Sequence, residues 1–195
     1  MILTHGANSI GTGSSGPKIT IGEHDYNYVL IGNLLWTVQN LDYKYADGIV
    51  GSEAKYYNND EATYGWNGKR YGLLYNQTAV NDLNNYLVDG WHVPTLIDFN
   101  NLISAVGGSN SGNKLKSETE WAGDGNGTNE SGFNAFPSGT FFSNAFHDIG
   151  YVATFKSKTI SDGLYYVLEL KTSNTISKNK TSGIDMYSIR LCKDA

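Results

Sequence analysis

One segment, residues 90–95 with the sequence GWHVPT, most constrains the fold because it predicts where a helix begins. The hydroxyl of Thr95 can accept a hydrogen bond from the first free N–H groups of a helix, and Asp98 would face the positive end of the helix dipole. Gly107 and Gly108 stand where a left-handed C-cap is expected. The apolar residues between cap and glycines recur at helical spacing: Phe99, Leu102, Ile103 and Val106. The segment therefore predicts a helix with one apolar face, which Trp91 anchors to a core.

The rest of the chain is typical of strands and loops. Apolar segments between turn residues predict a hairpin and several further strands, at residues 18–22, 26–33, 34–38, 71–76, 151–156, 164–171 and 186–193. A short first helix is expected around Thr78, Val80, Leu83 and Leu87. The polar stretches 43–70 and 172–184 are expected to be loops.

Length and charge restrict the classes of protein. The 195 residues suit one domain, residues 19–195, preceded by an extended arm, residues 1–18. The formal net charge of -5 argues against nucleic acid as a partner, because that binding depends on neutralising phosphates. No apolar run approaches the roughly 20 residues that span a bilayer, so no membrane partner is expected.

The arm is expected to anchor the chain to another protein. Ile2 and Leu3 are followed at once by polar residues, so the apolar stretch is too short for a secretory signal peptide. Residues 11–16 have the composition of a flexible linker. The residues expected to make the anchoring contacts are Ile2, Leu3, Thr4, His5, Asn8 and Ile10.

Six sequence blocks in order resemble a known family. They are residues 31–41 (IGNLLWTVQNL), 71–76 (YGLLYN), 90–95 (GWHVPT), 114–116 (KLK), 128–139 (TNESGFNAFPSG) and 188–194 (SIRLCKD). Together they are similar to the Fibrobacter succinogenes major paralogous domain family. The resemblance implies an α+β fold of the C-type-lectin-like kind, with two helices, small antiparallel sheets, long loops and chain ends that come together. Where this family often has a Trp-Ser-Ser-Thr-like block, the chain has residues 155–159 (FKSKT), so its displayed surface is expected to differ.

The opening of the arm adds a second resemblance. Residues 4–10 (THGANSI) look like short leaders on structural proteins of phages that infect gut Bacteroidales, such as crAss-like phages. This likeness implies a virion protein, a head fibre, capsid decoration or tail-associated component, whose arm binds other virion proteins. A homo-oligomeric or multicopy arrangement is expected, because weak contacts gain from multivalency.

The sequence contains no recognisable catalytic or metal-binding pattern, so no catalytic residue, cofactor or metal ligand is predicted. The four histidines, His5, His24, His92 and His147, are scattered, whereas a zinc site needs clustered His or Cys ligands. Cys192 is expected to be a small buried residue on a strand. Residues 124–130 begin like an oxygen-rich calcium loop, but Ala135 stands where an EF-hand needs Glu. A turn stabilised by Asn and Asp is favoured there, and an ion stays an alternative.

The leading hypothesis is a non-enzymatic virion protein that displays a lectin-like domain for contact with host glycans or surface proteins. Its display face is expected at Tyr151, Phe155, Lys156, Tyr165, Tyr166, Asn174, Lys178 and Asn179, since Tyr and Asn suit adaptable recognition. A core role for Phe155 and for one of the two adjacent tyrosines is an equal alternative. The rival hypotheses are an extracellular or surface bacterial adhesin or carbohydrate-binding module, and a cytosolic enzyme on the same scaffold.

Overall fold

The computed structural model of the chain describes residues 16–195. The six residues expected to anchor the arm, Ile2, Leu3, Thr4, His5, Asn8 and Ile10, all lie outside the described residues. The strands are β1 (Lys18–Ile21), β2 (His24–Ile31), β3 (Leu34–Thr37), β4 (Ala54–Lys55), β5 (Leu74–Tyr75), β6 (Ser138–Phe142), β7 (Ala145–Ile149), β8 (Val152–Ser161), β9 (Leu164–Lys171), β10 (Ile176–Thr181) and β11 (Cys192–Asp194). The helices are α1 (Ile49–Ser52), α2 (Glu61–Tyr64), α3 (Gln77–Leu83), α4 (Leu96–Ala105) and α5 (Gly112–Leu115), with a 3-10 turn at Tyr57–Asn59.

The first sheet joins the two ends of the described region. Its strand order is β1-β2-β3-β11, and every pair is antiparallel. The predicted hairpin is confirmed, although β2 begins at His24 and the turn is only Gly22 and Glu23. Cys192 lies opposite Trp36, so the last strand returns beside the third. The first and last strands of residues 16–195 therefore share one sheet.

The second sheet has the order β10-β9-β8-β6-β7. Its neighbours are antiparallel except for β6 and β8, which pair in parallel at Gly139 and Ala153. The strand predicted at residues 164–171 is confirmed with its bounds, and the one predicted at 151–156 continues to Ser161. The loop predicted at 172–184 is wrong in part, because Ile176–Thr181 pairs with β9. Only the two end residues of β10 are buried, so its sequence lacks the apolar alternation of a half-buried strand.

The main helix agrees with its prediction in start, apolar face and end. The Thr95 hydroxyl accepts from the backbone N–H of Asp98, and the Asp98 carboxylate accepts from the backbone N–H of Thr95, which forms a capping box. Phe99 and Leu102 are fully buried. Gly107 and Gly108 have φ of 105° and 100°, as a left-handed helix end requires. The predicted first helix also forms, as α3, but ends before Leu87.

An arginine lies at the centre of the core. Arg190 is fully buried and packs against two aromatic rings. The ring centroids of Phe133 and Phe155 lie 4.7 and 5.5 Å from the guanidinium carbon. The guanidinium donates to the Asn40 side chain at 2.6 Å and to three backbone carbonyls, those of Thr37, Phe133 and Asn134. Burial lowers the pKa of Arg190 to about 9, which still leaves it charged at neutral pH.

The architecture is mixed, with few helices and antiparallel sheets, so the α+β class is confirmed at that level. Among the helices of residues 16–195, none combines the length and apolar character that crossing a membrane needs. The stretch 43–70, expected to be a loop, contains the short elements α1, β4, the 3-10 turn and α2. This stretch also forms one wall of a pocket.

Candidate functional site

A pocket of about 500 Å³ opens between three parts of the chain: the β1–β2 turn, the segment after β3, and the stretch around α2. We call it the Asp42 pocket, and its lining residues are Gly22, Glu23, His24, Asp42, Tyr43, Lys44, Tyr56, Glu61, Ala62, Trp66 and Asn67. Gly22 has a φ of +60°, and a Cβ there would lie 2.6 Å from the Tyr43 ring. A glycine is therefore needed for the turn to approach this wall.

Two tyrosine hydroxyls hold the segment that carries the buried acid. The backbone N–H of Asp42 donates to the Tyr26 hydroxyl at 3.0 Å, and the next N–H, that of Tyr43, donates to the Tyr75 hydroxyl at 2.9 Å. Both tyrosine rings are fully buried. The position of Asp42 is therefore set by two rigid core residues.

The Asp42 carboxylate is buried and only half satisfied. The residue is 4% exposed, and its Oδ1 accepts a hydrogen bond from the Tyr56 hydroxyl at 2.7 Å. Its Oδ2 is buried and accepts no hydrogen bond of normal geometry, although the Trp66 backbone N–H lies near enough to the carboxyl to lower its pKa. Burial nevertheless raises the pKa of Asp42, because its effect outweighs the lowering by the Tyr56 hydrogen bond, by the Trp66 backbone and by the electrostatic interaction with His24 and Lys44. A carboxylate with an unused acceptor and a raised pKa in a pocket is a candidate binding group.

Aromatic rings form the wall beside this carboxylate. The His24 and Trp66 rings stack with centroids 4.3 Å apart and an interplanar angle of 6°, and Tyr26 meets Trp66 edge-on at 4.9 Å. The Arg70 guanidinium carbon lies 5.1 Å from the Trp66 centroid. The pocket therefore offers aromatic surface at His24 and Trp66 within a lining that is largely polar.

An ion pair lies among the lining residues. Lys44 Nζ lies 2.7 Å from Glu61 Oε1 and 5.4 Å from the Tyr56 ring centroid. The side chains of Lys44 and Glu61 are 44% and 59% exposed, so solvent screens their interaction. Glu61 begins α2, whose N-cap Asp60 accepts from the Thr63 N–H. The arrangement can accept a hydrogen bond from a ligand at Asp42 and offers a cation and an anion nearer the solvent.

Two of the residues predicted for the display face lie in the core. Phe155 and Lys156 are fully buried. The burial of Phe155 confirms its alternative role in the core, and the expectation that Lys156 is displayed is corrected. Adjacent residues on a strand point to opposite faces, but β8 is buried on both faces from Val152 to Ser157. The Phe155 ring packs edge-on against Phe133 at 5.5 Å, and Lys156 Nζ reaches Gln77 Oε1 at 3.5 Å.

The other predicted display residues are at least partly accessible but are spread along the second sheet. Tyr151, at 58% exposure, lies just before β8, which begins opposite the Lys171 end of β9. Tyr165 and Tyr166 are half-buried near the other end of β9, and Lys178 and Asn179 are exposed on its partner β10. Asn174 is exposed in the β9–β10 turn. The register places Tyr166 and Lys178 on one face of the sheet and Tyr165 and Asn179 on the other, and it leaves Tyr151 and Asn174 at the opposite end.

The oxygen-rich turn at residues 124–130 uses its amide side chains to hold backbone. Asn126 Oδ1 accepts from the Trp121 N–H at 3.1 Å, and Asn129 Oδ1 accepts from the Asn134 N–H at 2.8 Å. Glu130 lies 3.2 Å from Lys114 Nζ. These contacts agree with the turn that the composition favoured.

A family model described as the Fibrobacter succinogenes major domain matches residues 29–193. The chain belongs to this family. The match runs from the end of β2 to the middle of β11 and includes Asp42, Tyr56 and Trp66. Most of the Asp42 pocket therefore belongs to the Fibrobacter succinogenes major domain itself. Gly22, Glu23 and His24 lie before the matched range. No curated protein and no solved structure matches the chain.

Reasoning from the sequence missed this pocket in the Fibrobacter succinogenes major domain. Trp66 and Tyr56 stand in the polar stretch that was expected to be a loop, and such large rings in a polar loop are a usable sign of a buried or binding surface. Asp42 offers no comparable sign, because its burial depends on Tyr26 and Tyr56, 16 and 14 residues away.

Proposed function

We propose that the chain is a non-enzymatic recognition domain of a phage particle, with a C-type-lectin-like fold, and that it binds a glycan in the Asp42 pocket. The observation that carries the binding proposal is the buried Oδ2 of Asp42, which has no hydrogen-bond partner. A buried acceptor without a partner costs about 1–3 kcal/mol. A ligand hydroxyl that donates to it removes this cost.

A glycan suits the pocket because sugars carry both hydroxyl groups and apolar ring faces, and the pocket has both carboxylate and aromatic groups. Sugar hydroxyls donate to carboxylates, and the apolar faces of sugar rings pack on aromatic side chains such as those of the half-buried His24–Trp66 stack. The volume of about 500 Å³ lies within the range of roughly 300–1,000 Å³ that small-molecule pockets occupy.

The state of the second carboxylate supports a binding rather than a catalytic role. Glycoside cleavage uses two carboxyl groups, one as acid and one as base or nucleophile. The pocket's other two acids are Glu61, which is paired with Lys44 and largely exposed, and Glu23, which is exposed. The environment of neither acid therefore prepares it to act with Asp42.

The lectin-like fold is supported by the general architecture. The first and last described strands share one sheet, helices are few, and long connections such as residues 116–137 carry no strand or helix. These are the features that the family resemblance implies for the C-type-lectin-like fold.

A glycan array followed by titration calorimetry tests the binding proposal. The intact chain is applied to an array of bacterial surface oligosaccharides, and the best binder is titrated into the wild type, Asp42→Asn and Trp66→Leu. Loss of a charge-assisted hydrogen bond of about 1.5–3 kcal/mol should weaken binding at least about tenfold in Asp42→Asn.

Tyr151→Ala is the matched control, because it removes an exposed aromatic ring from the predicted display face instead of the pocket. It should leave the affinity unchanged. Binding that survives both pocket variants but is lost in Tyr151→Ala would assign recognition to the second sheet, and an array without any binder would refute the glycan.

The virion location rests on the leader-like residues 4–10 and needs its own test. Mass spectrometry of purified particles should detect the chain in several copies per particle. Its absence from intact particles, together with its presence on a bacterial cell surface, would favour the adhesin and leave the glycan proposal standing.

A further inference from the structure

Three side chains that can bind a metal ion converge where the last strand meets the start of α4. His92 Nε2 lies 3.3 Å from Cys192 Sγ and 3.3 Å from Asp98 Oδ2. All three ligand atoms lie within 4.8 Å of one another. None of these residues lines the Asp42 pocket, so the cluster is independent of the function proposed above.

The backbone fixes the three side chains before any ligand arrives. His92 and Cys192 face each other across an antiparallel bridge, in which each backbone N–H donates to the other residue's carbonyl, at 2.9 and 3.0 Å. Asp98 is held by the capping box of α4, where its Oδ2 accepts from the N–H and the hydroxyl of Thr95, both at 2.8 Å. The cluster is therefore rigid at each of its three members.

The hydrogen bonds of His92 determine which of its ring nitrogens can bind a metal ion. His92 Nδ1 lies 3.0 Å from the Gly90 carbonyl, which can only accept, so Nδ1 carries a proton and donates. In the neutral ring the lone pair is then on Nε2, which faces the carboxylate and the sulfur. A metal-binding histidine commonly donates its other N–H to a carbonyl in this way.

The carboxylate and the thiol both lie against this lone pair. Asp98 Oδ2 and Cys192 Sγ are each 3.3 Å from His92 Nε2. With the His92 proton on Nδ1, Nε2 and Oδ2 are both acceptors, so their close contact is unfavourable unless a cation lies between them. A shared cation would be bound by all three groups at once.

We propose that His92, Asp98 and Cys192 form a zinc site with one position open to a fourth ligand. Zinc combines thiolate, imidazole and carboxylate ligands, and sites with three protein ligands keep a water in the fourth position. The thiolate and the carboxylate together balance the charge of Zn²⁺, which keeps the partly buried site neutral. The side chains of His92 and Asp98 are 25% and 13% exposed, so solvent has access for the fourth ligand.

Zinc binding here exchanges one proton. The S–H bond of Cys192 breaks, a sulfur–zinc bond forms, and the proton leaves to solvent, so no oxidant or reductant is required. Zinc uptake should therefore release one proton per chain.

The test measures metal binding to the tag-free full chain. After incubation with ZnCl₂ and gel filtration, the wild type should carry one zinc per chain by elemental analysis, and Co²⁺ should produce a thiolate-to-cobalt charge-transfer band. Cys192→Ala and His92→Gln should lose both signals. Asp98→Asn is not used, because it would also disrupt the helix cap.

His147→Gln is the matched control, since His147 is half-buried and is not part of the cluster. It should keep both signals. Thermal unfolding adds a readout that does not depend on the variants, because zinc should raise the Tm of the wild type and EDTA should reverse the rise. Two results would overturn the proposal: a folded wild type that carries no stoichiometric zinc, or a cobalt complex that lacks the thiolate band. Either result would mean that the three side chains form only a hydrogen-bonded cluster.

Discussion

Replacing Asp42 by Asn should make the protein more stable while it weakens ligand binding. The raised pKa means that the folded state disfavours the charged carboxylate relative to the unfolded chain. Asn keeps an oxygen for the Tyr56 hydroxyl and removes the buried charge. The native residue is thus expected to cost stability in the free protein, as binding groups often do.

The size of the gain follows from the unpartnered oxygen. A buried unsatisfied group costs about 1–3 kcal/mol, and more when it is charged. The NH₂ group of Asn would occupy the buried Oδ2 position and would lack an acceptor there. This unpaired donor reduces the gain in stability. A net increase of about 1 kcal/mol in the free energy of unfolding is expected, or about 2–4 °C in Tm for a chain of this size.

The pH dependence of stability is a second test of whether Asp42→Asn stabilises the protein. Because the pKa of Asp42 is higher in the folded state, the folded protein binds the extra proton between the two pKa values, and stability falls as pH rises through that window. The variant has no such group. Its advantage over the wild type should therefore be complete above the folded-state pKa and should shrink toward pH 4.

Differential scanning calorimetry of both proteins from pH 7 to pH 4 measures this difference. Asp162→Asn is the control, because Asp162 is an exposed acid that pairs with Lys180, and its loss should not stabilise the protein at any pH. A variant less stable than the wild type at pH 7, or an advantage that does not depend on pH, would refute the reasoning about the Asp42 carboxylate.

Three further substitutions test the core and the main helix. Arg190→Met should lower the free energy of unfolding by about 4 kcal/mol in urea denaturation, because it leaves three backbone carbonyls and the side-chain oxygen of Asn40 unpaired. Arg70→Met at the surface should change it by less than about 0.5 kcal/mol. Thr95→Ala should cost about 1 kcal/mol through loss of the helix cap, and Thr95→Ser should restore most of it in the same assay. Lys156→Met should stabilise the protein below pH 8, because it removes a buried charge. Burial lowers the pKa of Lys156 to about 8, so the wild type gains stability as pH rises from about 8 to 10.5. Denaturation curves should therefore show the stability difference between variant and wild type narrowing over that range. A constant difference would contradict the burial of a charged amine.

The parts of the fold that the sequence predicts are those set by local chemistry. Helix α4 has its cap, apolar face and glycine end within fourteen residues, 95–108, so each feature constrains the others. Strand β9 is predicted with its bounds because its apolar residues are contiguous. Strand β10 is not predicted, because it is an edge strand with Lys178, Asn179 and Lys180 exposed. It forms because its backbone pairs with β9, and its composition gives no sign of this pairing.

Both candidate sites depend on contacts that no local pattern contains. The walls of the Asp42 pocket come from residues 22–24, 42–44 and 56–67, which meet only after the first sheet and the tyrosine contacts have formed. The histidines appeared scattered because the partner of His92 is Cys192, 100 residues later, across an isolated bridge. Spacing along the chain reveals metal ligands on one helix or turn, but not ligands that a sheet edge brings together.

The treatment of the other buried charges argues that the gap at Asp42 serves binding. Arg190 makes four hydrogen bonds, and the fully buried Lys116 donates to three carbonyls, those of residues 171–173. The remaining unsatisfied buried side-chain atoms of the described residues belong to Trp36, Thr140, His147 and Thr154, and none of these residues lines the pocket. Lys156 is also fully buried, but its amine reaches only Gln77 Oε1, at 3.5 Å. A fold that gives Arg190 and Lys116 several carbonyls each has the means to satisfy a buried carboxylate with N–H groups. Among the described residues with an unsatisfied buried side-chain atom, Asp42 is the one that lines the pocket, as expected if a ligand supplies the missing donor.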